Sequence, residues 1–174
     1  FMKTCTTKSV NQKDGEGQTP LHLAAAQNMV ELLLALIKKK AKVDAKDNKQ
    51  WTPLHTAASS HSFECAEKLI EAKANMHACT DNNSSVLTYL VTGNHDSSTR
   101  MNLLEKILPK GVNKGNNHQE TPLHRSCFSG NDAVVKLLLK HEADVNRVTE
   151  RGETALHLAV HRKSAGTVKI LLEN

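Results

Sequence analysis

The chain has 174 residues, of which 39% are apolar but only 3% aromatic, and its formal net charge at pH 7 is +5. This apolar content can form a core, which must then consist of Leu, Ala, Val and Ile side chains. No segment approaches the roughly 20 apolar residues that a membrane-spanning helix requires, so the composition indicates an ordinary soluble domain.

The first predicted element is the end of a repeated unit. Val10-Asn11 precedes Val43-Asp44 by 33 residues, so we interpret residues 1–13 as the closing part of a partial unit. We therefore expect the chain to be a fragment of a longer protein, and Phe1-Met2 is compatible with an expression remnant.

Two complete units are predicted next, over residues 14–46 and 47–79. Each contains the tetrapeptide Thr-Pro-Leu-His, at residues 19–22 and 52–55, followed by an apolar block and a closing turn. The Thr hydroxyl can cap a first helix, and Pro suits the first helical position because its missing N–H and fixed φ are harmless there. The apolar block that follows indicates a second helix with one apolar face.

The third unit, over residues 80–115, departs from this pattern. Ser85 to Leu90 fills the position of the tetrapeptide without its Pro or His, and the apolar block around Leu103 comes five residues late. We interpret the extra residues, Gly93 to Arg100, as a polar loop between helices.

The missing motif has an expected consequence for stability. In a stack of repeats, a defective unit lowers its own stability and that of its interfaces, so residues 85–111 are expected to open first. Shortening the chain between Asp96 and Thr99 is expected to change little, because the cost of loop closure grows only logarithmically.

A fourth unit, residues 116–148, repeats Thr-Pro-Leu-His at 121–124, and a truncated fifth unit, residues 149–174, has Thr-Ala-Leu-His at 154–157. The 33-residue period, the tetrapeptide and closing turns such as Glu142 to Asn146 are similar to those of the ankyrin-repeat family. The resemblance covers nearly the whole chain. It implies an all-α repeat solenoid of stacked helix-turn-helix units with β-hairpin-like finger loops.

The resemblance also implies a function, a non-catalytic scaffold or adaptor that holds a protein partner on its concave face, along the finger tips and first helices. Carried onto this sequence, the residues assigned to partner binding are Lys46, Asn48, Lys49, Trp51, Asp81, Asn82, Tyr89, His118, Glu120, Arg125, Phe128, Arg151 and Arg162. The same implied surface includes Ser59, Ser60, Ser84, Thr92, Asn117, Ser129, Glu150, Glu153 and His161.

Three of these residues are candidate aromatic anchors. Trp51, Tyr89 and Phe128 could supply the few contacts that dominate the energy of many protein interfaces. The alternative is that they pack within the array, Trp51 against the adjacent finger. The sequence leaves both interpretations open.

Four regularly spaced histidines, His22, His55, His124 and His157, are expected to be structural, since in the family this His bonds the backbone near the finger base. Catalysis would require a base, a partner and an oxyanion donor in one cleft. The pair His77 and Cys79 is two ligands short of a structural zinc site. We therefore expect no catalytic residue, no metal and no cofactor.

The four cysteines, Cys5, Cys65, Cys79 and Cys127, show no paired spacing, and no secretory signal is visible. A reducing compartment is expected, the cytoplasm or alternatively the nucleus. We expect a monomer.

The densest basic run is Lys38-Lys39-Lys40, followed by Lys42, Lys46 and Lys49. Such a run could attract an acidic peptide, a phosphoinositide or nucleic acid. The first three lysines end a helix, where cations complement its dipole. Neither a recognition helix nor an aromatic platform accompanies them, so nucleic-acid binding is not expected. An acidic partner remains open for Lys46 and Lys49.

One modification is predicted from the resemblance. Asparaginyl hydroxylase acts on ankyrin repeats at the last position of the closing turn, with a preference for Leu eight residues earlier. Asn146 with Leu138 resembles this arrangement. The alternative is that Asn146 only supports the turn.

A second function remains open at this stage. The array could be the targeting or autoinhibitory segment of a larger signalling enzyme or regulator whose catalytic domain lies outside this fragment. Both functions predict the same surface, so the sequence does not separate them. A purely structural spacer is a third reading.

Overall fold

The computed structural model describes residues 7–93, 97–108 and 110–174. Most of the described helices begin directly after a Thr or Ser, whereas Val30–Lys38 follows Met29 and Asp132–Lys140 follows Asn131. Each first helix that follows Thr-Pro starts at the Pro, after a Thr in extended conformation. The chain divides into two compact units, Phe1–Asp81 and Asn82–Asn174. Four features considered in the sequence lie outside the described residues: Phe1-Met2, Cys5, residues 94–96 of the extra segment, and Pro109.

The unit that ends at Asp81 contains α1 (Thr7–Val10), α2 (Pro20–Ala26), α3 (Val30–Lys38), α4 (Pro53–Ser59) and α5 (Phe63–Glu71). Helix α2 packs against α3 and α4, and α5 packs against α4 and α3. Small side chains make the close packing of the first helices possible, since Ala24, Ala25, Ala57 and Ala58 are all buried. Leu33 and Leu69 fill the core from the second helices.

The unit that begins at Asn82 contains α6 (Val86–Leu90), α7 (Ser98–Ile107), α8 (Pro122–Ser129), α9 (Asp132–Lys140), α10 (Ala155–His161) and α11 (Ala165–Leu172). Helix α8 packs against α6, α9 and α10, and α11 packs against α9 and α10. The late apolar block of the third repeat is core, because Leu103, Leu104, Ile107 and Leu108 are buried.

The extra segment of the third repeat corrects one sequence prediction. Gly93 to Arg100 is not a loop throughout, because α7 already begins at Ser98. The Ser97 hydroxyl accepts the backbone N–H of Arg100 at 3.4 Å and caps the helix, as short polar side chains commonly do. The expectation that shortening between Asp96 and Thr99 changes little stays a prediction, and the structure argues against it, because the deletion would remove this cap and the start of α7.

Arg100 was also expected in the polar loop, but its side chain is buried, with 1% of the residue exposed. Its guanidinium donates three hydrogen bonds to the end of α6, from Nε to Leu90 O (2.7 Å), from Nη2 to Thr92 O (2.9 Å) and from Nη1 to Gly93 O (3.2 Å). The C-terminal carbonyls of a helix lack intrahelical partners. Arg100 therefore satisfies the carbonyl of Leu90 at the end of α6 and two carbonyls of the turn that follows, and it fixes the connection between α6 and α7.

Among the residues that the structure describes, no β-strand is assigned. None of the helices in these same ranges is long and apolar enough to cross a membrane.

Candidate functional site

A five-residue turn, called a finger from here on, precedes four of the first helices, at residues 14–18, 47–51, 116–120 and 149–153. In each finger the first residue's N–H donates to the fifth residue's carbonyl, at 2.9 to 3.1 Å. The fourth residue is Gly17, Gln50, Gln119 or Gly152, always with a left-handed φ.

The first side chain of each finger closes the same turn. Its oxygen accepts the N–H groups of the third and fifth residues, and the four residues that do this are Asp14, Asp47, Asn116 and Thr149. Short polar side chains commonly stabilise turns in this way. Side chain and backbone therefore fix the finger together, and the side chains at its tip stand on a rigid base.

Neighbouring fingers are joined by backbone hydrogen bonds within each unit. In the unit that ends at Asp81, Asn48 N donates to Glu16 O, and Asp81 N donates to Lys49 O, both at 3.1 Å. In the second unit, Glu150 N donates to His118 O at 2.9 Å. These bonds set the register of adjacent fingertips.

The partner-binding residues predicted in the first unit have mixed surroundings. Lys46, Lys49 and Asp81 are exposed. Asn48 is exposed but bonded, since its Nδ2 donates to Gly15 O at 3.1 Å and thereby ties two fingers together. Asn48 therefore has a structural task in addition to any contact with a partner.

Trp51 is half-buried and close to the histidines of two successive repeats. Its carbonyl accepts from His22 Nε2 at 3.1 Å, and its ring centroid lies 6.3 Å from that of His55, tilted by 47°. These contacts make Trp51 part of the finger base, while the rest of its side chain remains accessible.

Asn82 and Tyr89 belong to the second unit. The Oδ1 of exposed Asn82 accepts Ser84 N at 3.1 Å, and Tyr89 is half-buried in α6. Neither residue lines the cavity described next.

Six other predicted residues come together around a cavity of about 630 Å³ in the second unit. Its walls are the fingers 116–120 and 149–153 with helices α8 and α10. The six residues are His118, Glu120, Arg125, Phe128, Arg151 and Arg162. The remaining lining residues are His124, Thr149, Glu150, Glu153, Leu158 and His161. A cavity of this size is large enough to receive partner side chains.

The carboxylates of the cavity are all engaged within the unit. Glu120 Oε2 accepts from Asn116 Nδ2 at 3.0 Å and lies 3.5 Å from the Nη1 of Arg125. Glu150 Oε2 lies 3.0 Å from His118 Nδ1, across the two fingers. Glu153 Oε1 lies 4.0 Å from the Nε2 of His161.

Two arginines of the cavity have no such counterion. No ion pair of Arg151 or Arg162 is found within residues 7–93, 97–108 and 110–174. The guanidinium carbon of Arg162 instead lies 5.0 Å from the ring centroid of Phe128, a cation–π distance. Phe128 is itself 49% exposed, which is unusual for so large an apolar side chain in a folded unit.

The motif histidines join each first helix to the base of the next finger. His124 Nδ1 accepts the backbone N–H of Thr121 at 3.2 Å, while its Nε2 lies 3.0 Å from Arg147 O and 3.2 Å from Glu153 O. A carbonyl can only accept, so Nε2 carries the proton and Nδ1 is free to accept. His22 and His55 make the equivalent bonds, to Trp51 O and Ala78 O.

His157 differs from these three histidines. It is exposed, and its Nδ1 accepts the backbone N–H of Thr154 at 3.2 Å.

Burial shifts the pKa of two motif histidines and two thiols toward their neutral forms. Desolvation lowers the pKa of His22 and His124, which favours their neutral form. Burial raises the pKa of the Cys127 thiol to about 12 and raises that of Cys65. These thiols are therefore poor nucleophiles.

Cys65, Cys79 and Cys127 are free thiols. Within the described part of the chain, no group of three or more His, Cys, Asp and Glu side chains could hold a metal ion.

The predicted modification site lies in a closing turn. Asn146 is exposed, and its backbone N–H donates to Asp144 Oδ1 at 2.9 Å. Leu138 is buried in α9. The Asn146 side chain is therefore accessible, whereas the leucine eight residues earlier is not.

Sequence reasoning missed the acceptors that close the fingers, and a signal for them existed. Asp14 and Asp47 are 33 residues apart, as are Asn116 and Thr149, and each stands five residues before the Thr that caps a first helix. It also missed Leu158, which lines the cavity from α10. Nothing in the local sequence distinguishes Leu158 from a core leucine.

Comparisons with known proteins agree with this architecture. A family model of ankyrin repeats in three copies matches residues 2–78 and 75–174. The ankyrin repeat protein FPV244 of fowlpox virus (strain NVSL) is 36% identical over 74 residues, which are 41% of this chain and 11% of that protein. The chain thus spans only a small part of this relative's length.

A solved structure is also similar. It is the Bd0816 predatory endopeptidase from Bdellovibrio bacteriovorus in complex with immunity protein Bd3460, of which one chain matches with a TM-score of 0.81 and 28% identity. The match covers 95% of this chain and 85% of that chain. The family model and this structure confirm the predicted fold class, an all-α repeat solenoid.

Proposed function

Because this chain belongs to the ankyrin-repeat family, we propose that it is a protein–protein interaction module, a scaffold or adaptor that binds its partner through fingers and first helices. Repeats of this family are generally binding modules rather than enzymes. The similar solved structure is a complex of a peptidase with an immunity protein, which is consistent with this function.

The cavity of the second unit is the observation that carries the proposal. Six residues assigned to partner binding from the sequence lie around it, on two rigid fingers and two helices. It combines an exposed aromatic ring with arginines, and both residue types are enriched at the centre of protein interfaces. We therefore assign the main contact of the partner to this cavity, with Phe128 as its anchor.

The module itself is assigned no catalytic role. The ring nitrogens of His22, His55 and His124 are occupied by hydrogen bonds that hold the repeats together. Burial also raises the pKa of two of the free thiols. These three histidines and two thiols thus serve the fold.

A second function would use the same surface. The match covers 11% of the length of the fowlpox virus relative. A targeting or autoinhibitory role inside a longer signalling protein would use the same fingers and first helices. A cytoplasmic or nuclear location and a monomeric state belong to the same proposal.

Peptide selection tests the proposed function. A display library of random peptides would be selected on the full 174-residue chain, and the affinity of the selected peptides would be measured by calorimetry. Phe128→Ala should weaken their binding by about tenfold, because loss of an aromatic anchor commonly costs more than 1 kcal/mol. Trp51→Ala in the same assay tests whether the first unit contributes.

Val160→Ala is the matched control. Val160 is 59% exposed on α10 and does not line the cavity, so this variant also removes exposed apolar surface from the second unit. Its binding should equal that of the wild type. Peptides that bind with the same affinity to the Phe128→Ala chain would place the binding surface elsewhere and refute the proposal.

A further inference from the structure

We propose that the cavity recognises an acidic segment of the partner, and that the guanidinium groups of Arg151 and Arg162 receive its Asp or Glu carboxylates. This inference rests on the proposed function and specifies the chemistry of the partner. The cavity contains three arginines and three glutamates, and their pairing decides which charges remain for a ligand.

The contacts among the described side chains of the cavity leave two guanidinium groups without a carboxylate neighbour. Each glutamate has a partner within 4.0 Å, namely Arg125 for Glu120, His118 for Glu150 and His161 for Glu153. Arg151 and Arg162 have no counterion among the residues that the structure describes. Carboxylates from outside are the natural complement, because a guanidinium binds a carboxylate through two parallel N–H···O bonds.

Arg162 is already held in a conformation suited to this task. Its guanidinium lies over the ring of Phe128, at 5.0 Å from the ring centroid. A guanidinium can stack its face on an aromatic ring while its edge binds a carboxylate. The contact with Phe128 already restricts the Arg162 side chain, so the loss of side-chain entropy on binding is smaller. Phe128 therefore positions the arginine as well as offering apolar surface.

Arg151 stands on a fixed backbone. Its N–H donates to Thr149 Oγ1 at 3.3 Å, and Gly152 beside it adopts the left-handed φ of 75° that closes the finger. The neighbouring Glu150 is bound to His118 of the adjacent finger. The guanidinium of Arg151 is thus the remaining charge of this fingertip.

The glutamates determine which anion fits. The lining carries three glutamates beside its three arginines, so a doubly charged phosphate or a nucleic-acid backbone would face nearby carboxylates. A singly charged carboxylate can instead bind locally to one guanidinium. Phe128 and half-buried Leu158 add apolar wall, which favours a leucine beside the acidic residue.

The test uses a defined pair of peptides on the 15N-labelled full chain. The acetylated and amidated peptide Ala-Leu-Asp-Glu-Leu-Ala is compared with Ala-Leu-Asn-Gln-Leu-Ala by NMR titration. We expect the acidic peptide to shift the Nε–Hε signals of Arg151 and Arg162 and to bind at least about tenfold more tightly, as charge-assisted hydrogen bonds are roughly twice as strong as neutral ones.

Variants separate this contact from general electrostatics. Arg151→Gln and Arg162→Gln should each weaken the acidic peptide by about fivefold, a loss typical of an exposed ion pair. Lys136→Gln removes the same charge from an exposed position on α9 outside the cavity, and binding should be unchanged. Thermal unfolding of each variant checks that the fold is intact.

Two outcomes overturn the inference. One is equal affinity of the wild type for the two peptides, or no binding of either. The other is that both arginine variants bind the acidic peptide with the affinity of the wild type. If library-selected peptides nevertheless depend on Phe128, the proposed function stands and only the carboxylate recognition is wrong. If those peptides are also indifferent to Phe128, both proposals fall.

Discussion

Replacing the buried arginine of the third repeat is expected to open the connection between α6 and α7. In Arg100→Met the side chain keeps much of its length and its apolar contacts but loses its three hydrogen bonds to the carbonyls of Leu90, Thr92 and Gly93. The variant therefore isolates the contribution of the guanidinium.

The size of the effect follows from how well each carbonyl can be hydrated afterwards. The bond to Leu90 O is buried, and an unsatisfied buried acceptor costs about 1–3 kcal/mol. The bonds to Thr92 O and Gly93 O are partly accessible, so water can replace the donor and the loss is about 0.5–1.5 kcal/mol each. Together these give a loss of about 2–6 kcal/mol, centred near about 4 kcal/mol, a large share of a typical unfolding free energy of roughly 5–15 kcal/mol.

Hydrogen exchange is the appropriate assay, because repeat proteins can open locally. A loss of about 4 kcal/mol corresponds to an exchange rate roughly 1,000-fold higher at the amides of Leu103, Leu104 and Ile107 in α7. Arg100→Lys should be intermediate, since it keeps the charge but not the planar fork of donors. Lys136→Met, at an exposed position of α9, should leave the rates unchanged. Unchanged protection of α7 in Arg100→Met would refute the reasoning.

Three further outcomes are expected. Burial lowers the pKa of His22 and His124 below 6.5, so the unfolded chain takes up protons before the folded chain as the pH falls. The free energy of unfolding should therefore decrease between pH 7 and pH 5 and level off below the folded-state pKa. A constant urea midpoint across this range would contradict this prediction. Gly17→Ala should destabilise by more than Gly152→Ala, since both have a left-handed φ but a Cβ at residue 17 would lie 2.8 Å from a backbone nitrogen of the next finger. Gly152 has open space, so its variant should show only the backbone penalty of about 1 kcal/mol, and equal urea midpoints would refute the steric argument. Treatment with asparaginyl hydroxylase should add one oxygen to Asn146, and tandem mass spectrometry without that addition would show that the residue only supports its turn.

The fold was predictable because the same structural signals recur in successive repeats. A capping Thr, a Pro at the first helical position and a His that bonds the finger base recur with the same period, so one repeat explains the next. The third repeat lost these signals. Ser85 and Thr88 still pair through their hydroxyls at 3.2 Å, but Arg100 acts from the following helix, and no local pattern distinguishes it from a solvated loop arginine.

The candidate site was predictable in its residues but not in its chemistry. Finger and helix positions follow from the repeat, and six of the residues they name lie around the cavity, while their role in partner binding stays a prediction. The pairing of Glu150 with His118 depends on the distance between two fingers, and the stacking of Arg162 on Phe128 depends on the packing of α8 against α10. Which arginines remain for a ligand is therefore a property of the tertiary structure.

The most direct test of the account is a map of peptide-induced amide shifts in a 1H–15N spectrum of the full chain, using a peptide from the display selection. We expect the largest shifts in the fingers 116–120 and 149–153 and in helices α8 and α10, around Phe128. Shifts concentrated instead on α9 and α11, with the two fingers unaffected, would contradict it.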